Sequence, residues 1–158
     1  MPVEIERKFL LASDAWQTRV AGTRLLRDGL LARFGNGKVR VRHAGDRAWI
    51  TVKGPRSGIS RAEFEYEVPL GEAEEMLALC DGPVIEKLRH TVPYAGLDWT
   101  VDVHLGPLAG ITLAEVELTF PEQPITLPDW IGREVTHDLR YSKATLVRHC
   151  MEAARSRA

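Results

Sequence analysis

The stretch Glu4-Ile5-Glu6-Arg7-Lys8-Phe9-Leu10-Leu11 puts Glu4, Glu6 and Lys8 at every second position. In a strand, successive side chains point to opposite faces. These three then share one side, while Ile5, Arg7 and Phe9 take the other. A face with two carboxylates and an ammonium is either a solvated surface or the lining of a polar interior. The remaining strands decide between the two.

Other segments repeat the pattern. Arg40 and Arg42 share a face opposite Val39 and Val41, and Thr51 aligns with Lys53. Glu63, Glu65 and Glu67 align opposite Phe64 and Tyr66, and Lys87 aligns with Arg89. Asp98, Thr100, Asp102 and His104 oppose Trp99, Val101 and Val103, and Glu115 with Glu117 opposes Val116 and Leu118. These charges come as same-sign pairs, roughly 6–7 Å apart along a strand. Solvated faces intersperse signs, because like charges side by side repel. Glu4 with Glu6, and Glu115 with Glu117, are spaced to hold a hard divalent cation such as Mg²⁺ or Mn²⁺. Arg40 with Arg42, and Lys87 with Arg89, are spaced to hold phosphate oxygens. Together the pairs call for a polyanion and its metal in one concavity.

Turn signals set the element order. Gly35-Asn36-Gly37 and Ala44-Gly45-Asp46 join strands as hairpins, and 54–58 (GPRSG) is expected to be a loop. "GNGK" at 35–38 lacks the spacing and the following Ser/Thr of a P-loop. Short helices are predicted from Ala15 to about Val20 and over the Glu72–Cys80 stretch, and a C-terminal helix from about Ser142 to Ala154. The order is strand, helix, three strands, then the same again. That is a duplicated β-α-β-β-β unit in one domain spanning 1–158, of α+β class with eight strands. An eight-stranded barrel lined by Glu, Arg and Lys cannot stay dry, since unpaired buried charges cost several kcal/mol each. Ile5, Phe9, Val39, Val41, Phe64, Val101, Val116 and Leu118 would then face outward, under helices or a partner.

Composition excludes other classes. With 44% hydrophobic and 27% charged residues, the 158-residue chain reads as globular. A net charge of −1, from 21 basic and 22 acidic residues, gives no global pull toward nucleic acid or anionic lipid. Cys80 and Cys150 form no metal-binding spacing, and the apolar runs are too short to cross a bilayer as helices. Glu4 and Glu6 stand where a secretory leader carries basic residues, so a cytoplasmic location is expected.

The ordered series Glu4-x-Glu6-x-Lys8, Arg40-x-Arg42, Lys53, Glu63-x-Glu65, Lys87-x-Arg89, Asp102, Glu115-x-Glu117 and Glu134-Val135-Thr136 resembles the CYTH family, the triphosphate tunnel metalloenzymes, over roughly residues 3–141. It is most similar to the short bacterial inorganic triphosphatases. The resemblance implies an eight-stranded antiparallel β-barrel, a tunnel with flanking helices, that binds a linear triphosphate and Mg²⁺ or Mn²⁺. By the same resemblance Glu4, Glu6, Glu115 and Glu117 are metal ligands, with Glu63, Glu65 and Asp102 candidates for a second ion. Lys8, Arg40, Arg42, Lys53, Lys87, Arg89 and Arg140 form the triphosphate cradle, with Lys53 and Lys8 the catalytic candidates among them. The implied reaction is hydrolysis of inorganic triphosphate to diphosphate and phosphate. A non-catalytic triphosphate or nucleotide sensor, a class IV adenylate cyclase and a thiamine triphosphatase stand as alternatives, and the family is compatible with a homodimer.

The chain departs from the family pattern in two places. Short members read RQGYL where this chain has Arg27-Asp28-Gly29-Leu30-Leu31, so Leu30 takes the place of a tyrosine that works with a lysine during hydrolysis. Their RYYN becomes Arg140-Tyr141-Ser142-Lys143.

Overall fold

A computed structural model describes residues 2–157, and among these the chain forms nine strands and two α-helices. The strands are β1 (Val3–Leu11), β2 (Gly22–Phe34), β3 (Gly37–Ala44), β4 (Arg47–Ser57), β5 (Ser60–Val68), β6 (Ile85–Tyr94), β7 (Leu97–His104), β8 (Thr112–Glu117) and β9 (Ile131–Glu134). The helices are α1 (Leu70–Leu79) and α2 (Lys143–Ser156). None of the described helices is long and apolar enough to cross a membrane.

Around the barrel the order is β1-β5-β4-β3-β2-β6-β7-β8 and back to β1, with antiparallel pairing throughout. Exchanging β1–β4 with β5–β8 maps this set of pairings onto itself, so the duplication appears as a pseudo-twofold. The first unit's expected helix is only a 3₁₀ turn, Ala15–Arg19, where the second has α1. Closure leaves the eight strands without a free edge along the wall.

Two local expectations are corrected. Residues 54–58 are not a loop. β4 runs on to Ser57 with an irregularity after Lys53, and the chain turns only at Gly58, where φ is +60°. This long hairpin carries Arg56 over the barrel mouth. The second correction is β9, which the proline-rich stretch before it concealed. β5 pairs with β1 only through Val3–Ile5, and β9 takes over the vacated edge at Phe9 and Leu11.

Three apolar cores surround a polar interior. Ile5, Phe9, Trp99, Val101, Ala114 and Val116 form the outer face of β1, β7 and β8, covered by Trp16 and Trp130. Val41 and Ala48 on β3 and β4 pack under Ala73 and Leu77 of α1. Gly29 permits that contact, because a Cβ there would stand 2.6 Å from Cys80 Sγ and 2.9 Å from Leu77. The third core closes one barrel end, where Leu146 and Cys150 of α2 meet Ile85, Leu108, Leu113 and Val135. Of the side chains expected outward, Phe64 stays 37% exposed and is joined by Tyr66 at 60%.

Candidate active site

Alternation on all eight barrel strands delivers charged side chains to the interior, as the opening stretch requires. They line a cavity of about 710 Å³ that shares Arg42, Glu65 and Arg89 with a second chamber of about 480 Å³. The walls differ in sign. Glu4 and Glu6 of β1, Glu63 and Glu65 of β5, and Glu115 and Glu117 of β8 sit on adjacent strands. Across the lumen, Lys38, Arg40 and Arg42 of β3 and Lys87 and Arg89 of β6 flank β2.

Two buried aspartates brace the basic wall. Arg42 donates to both oxygens of Asp28, at 2.7 and 2.8 Å, and Lys143 adds a third bond at 2.9 Å. Arg89 donates to both oxygens of Asp102 at 2.8 Å, and Lys87 reaches Oδ2 at 2.5 Å. Burial alone would raise the Asp28 carboxyl, yet Lys143 and Arg42 hold it well below the usual range. Asp102 is likewise held far down by Lys87 and Arg89 against its burial. Fork-shaped pairs of this kind fix both the position and the direction of a guanidinium.

The acidic wall is held by ammonium and guanidinium groups. Lys53 donates to Glu4 at 2.7 Å and lies 2.9 Å from Glu63, while Arg56 reaches Glu6 at 3.1 Å. Lys8 stands 3.8 Å from Glu115. Burial would raise the Glu115 carboxyl, but Lys8 and then Lys87 and Arg89 draw it down to about 2. Glu6 goes the other way, pushed up to about 7 by burial and then by the carboxylates of Glu115 and Glu4. Glu117 is also raised, by burial and then by Glu4 and Glu63. Glu4 Oε2 is buried without a hydrogen bond.

The donor set therefore fits a hard divalent cation: an orphaned carboxylate oxygen beside two carboxylates whose charged form is disfavoured by burial and by neighbouring carboxylates. Among the described residues no three such groups yet converge on one point. Glu4 and Glu6 are instead bonded to Lys53 and Arg56.

Two of the expected site residues lie apart from the groups they were expected to join. Asp102 does not join the acidic wall, because both its oxygens are committed to Lys87 and Arg89, and it acts as a brace. Arg140 does not line the cavity. Its side chain is 73% exposed and folds back on Asp138, two residues earlier, at 2.6 and 2.9 Å. The C-terminal segment instead supplies Lys143, which lines the cavity. Sequence reading also missed Lys38, Arg56 and Arg61. Lys38 was within reach, being the next member of the Arg42, Arg40 alternation, whereas Arg56 and Lys143 depend on the course of the hairpin and of α2. His104 is buried and donates from Nδ1 to the Ile111 carbonyl at 3.0 Å, a structural role.

A CYTH domain model matches residues 2–151. The chain belongs to the CYTH family. This CYTH protein is 46% identical over 150 residues to an inorganic triphosphatase of Acetivibrio thermocellus, covering 94% of this chain and 96% of that one. It is 33% identical to an inorganic triphosphatase of Nitrosomonas europaea, covering 90% and 95%. A crystal structure of an inorganic triphosphatase superposes with a TM-score of 0.63 at 30% identity, covering 93% of this chain and 95% of that chain. The fold of this CYTH protein is thus the triphosphate tunnel barrel, with its ExExK strand as β1.

Proposed function

We propose that this CYTH protein hydrolyses inorganic triphosphate to diphosphate and phosphate in a reaction that needs Mg²⁺ or Mn²⁺. The observation that carries the reading is a lumen with one basic and one acidic wall, each built on rigid strands. A linear polyanion lies along Arg40, Arg42, Lys87 and Arg89, and Asp28 and Asp102 keep three of these four donors aimed before it arrives. Such preorganisation lets positive charge act on the transition state without reorganising.

Glu4, Glu6, Glu115 and Glu117 are the residues to hold a divalent ion, which when bound neutralises phosphoryl oxygens and makes a water more acidic. Lys53 and Lys8 stand between the walls. Lys53 bonds Glu4 and Glu63 here, and with a cation held on the carboxylates its ammonium would be free to face the phosphoryl groups. Phosphoryl transfer asks little covalent chemistry of a protein, so positioning and charge supply the catalysis. Support for the substrate comes from the relatives, both named inorganic triphosphatases over nearly the whole chain.

The test is to incubate purified protein with inorganic triphosphate, ATP and thiamine triphosphate, with and without each metal. Phosphate, diphosphate and cyclic AMP are then measured. Phosphate and diphosphate from inorganic triphosphate are expected. Cyclic AMP from ATP, or turnover of thiamine triphosphate alone, would overturn the assignment.

A further inference from the structure

Arg40 is the fourth donor of the inner basic wall, and no aspartate aims it. Arg42 is held by Asp28, and Lys87 and Arg89 are held by Asp102. Arg40 is buried, and among the described residues its side chain makes one hydrogen bond, from Nη2 to Thr51 Oγ1 at 3.3 Å. Its Nε is buried without a hydrogen-bond partner, and Glu65 Oε2 stands 3.9 Å from Nη2.

Thr51 sits between the two walls. The register sets it opposite Arg40 of β3 on one side and opposite Glu65 of β5 on the other. It is fully buried, at 0% exposure, and does not line the cavity. Its Oγ1 accepts from Arg40 and donates to Glu65 Oε2 at 3.2 Å. A guanidinium only donates, a carboxylate accepts, and the hydroxyl has a single proton, so the chain runs from Arg40 through Thr51 to Glu65. Each bond in such a chain polarises the next and strengthens it. The branched Cβ restricts χ1, which keeps the hydroxyl on this line. The chemistry differs from that of the two aspartate braces. A carboxylate that aims a guanidinium also offsets its charge, whereas a neutral hydroxyl aims it and leaves the charge for an incoming anion.

We propose that Thr51 is a positioning residue for triphosphate, holding the Arg40 guanidinium in the cradle without neutralising it and tying that aim to Glu65 on the acidic wall. The inference rests on the triphosphate reading of the tunnel. Thr51 does not touch the substrate, so its effect on binding passes through Arg40.

The experiment is calorimetric titration of the full chain with inorganic triphosphate in EDTA, which prevents metal-dependent turnover. The proteins are the parent, Thr51→Val, Thr51→Ala, Thr51→Ser, Arg40→Met and the double variant with Thr51→Val and Arg40→Met. Valine keeps the branched shape and removes the hydroxyl, and alanine repeats the test with a smaller side chain. Thr51→Val and Thr51→Ala are expected to bind triphosphate about tenfold more weakly than the parent, the scale of one hydrogen bond to a charged group. Thr51→Ser should return to within about threefold, short of the parent because serine lacks the branch. In the Arg40→Met background, Thr51→Val should change Kd by less than about twofold, since the route through Arg40 is already closed. Melting curves in the same buffer show which variants are folded. Hydroxyl-free variants that bind like the parent, a serine variant no better than the valine one, or the same loss in the Arg40→Met background would overturn the positioning role. Each of these leaves the triphosphate tunnel standing. A parent that does not bind triphosphate overturns the tunnel reading and this inference with it.

Discussion

Lys53 Nζ lies 2.7 Å from Glu4 Oε1, and both side chains are buried, at 10% and 8% exposure. Glu63 closes the same ammonium from β5 at 2.9 Å. One ammonium thus ties Glu4 of β1 to Glu63 of β5 within the wall that is to receive a metal. Lys53→Met removes it and leaves two carboxylates unneutralised, one of them buried. Breaking a buried pair in this way costs about 3 kcal/mol. Urea unfolding in EDTA should show that loss, and Mg²⁺ should stabilise the variant more than the parent, because it binds only the folded carboxylate array. Equal metal stabilisation of the two proteins would show that Lys53 and the cation do not share ligands.

The C-terminal segment offers a clean contrast. Arg140 is turned outward onto Asp138, whereas Lys143 enters the lumen and pairs with Asp28. Arg140→Ala should leave KM for triphosphate within about twofold of the parent. Lys143→Met should raise KM tenfold or more, since it removes a charge that braces Asp28 and faces the anion. Steady-state kinetics on the two variants tests the assignment, and the reverse ranking contradicts it.

Leu30 stands opposite Arg40 in the β2–β3 register and is half-buried on the lumen side, two residues from Asp28. A phenol placed there reaches the cradle rather than an apolar core. General acid–base assistance contributes about 100-fold when a group is well placed, and a transplanted one delivers less. Leu30→Tyr should therefore raise turnover several-fold with KM little changed, the signature of an effect on the transition state. Turnover unchanged or lower, in a variant as stable as the parent, would show that position 30 is not a vacated catalytic place.

The barrel was legible because its strands are amphipathic with an inverted meaning. Val41, Val101 and Val116 point outward to helices and loops, and the charged partners point in. Period-two alternation therefore reports the faces correctly whichever one is buried. The same alternation placed Glu4, Glu6, Arg40, Arg42, Lys87, Arg89, Glu115 and Glu117 in one lumen. Pairing within that lumen was not legible. The resemblance makes Asp102 a candidate for a second ion, whereas the register sets it opposite Arg89, where it serves as a brace. Arg56 was concealed by a Gly-Pro-Arg-Ser-Gly composition that reads as a loop, although the structure extends it as a hairpin. The resemblance offers Arg140 as a phosphate contact, and the motif alone does not show its capture by Asp138, two residues away.

The most direct measurement is phosphorus NMR of inorganic triphosphate with the purified protein in Mg²⁺, in Mn²⁺ and in EDTA, repeated with Glu117→Gln. One diphosphate and one phosphate should appear for each triphosphate consumed. The reaction should stop in EDTA and slow by about 100-fold or more in the folded variant. Hydrolysis that continues in EDTA, or a variant that matches the parent in rate and metal dependence, would contradict a metal held on the acidic wall.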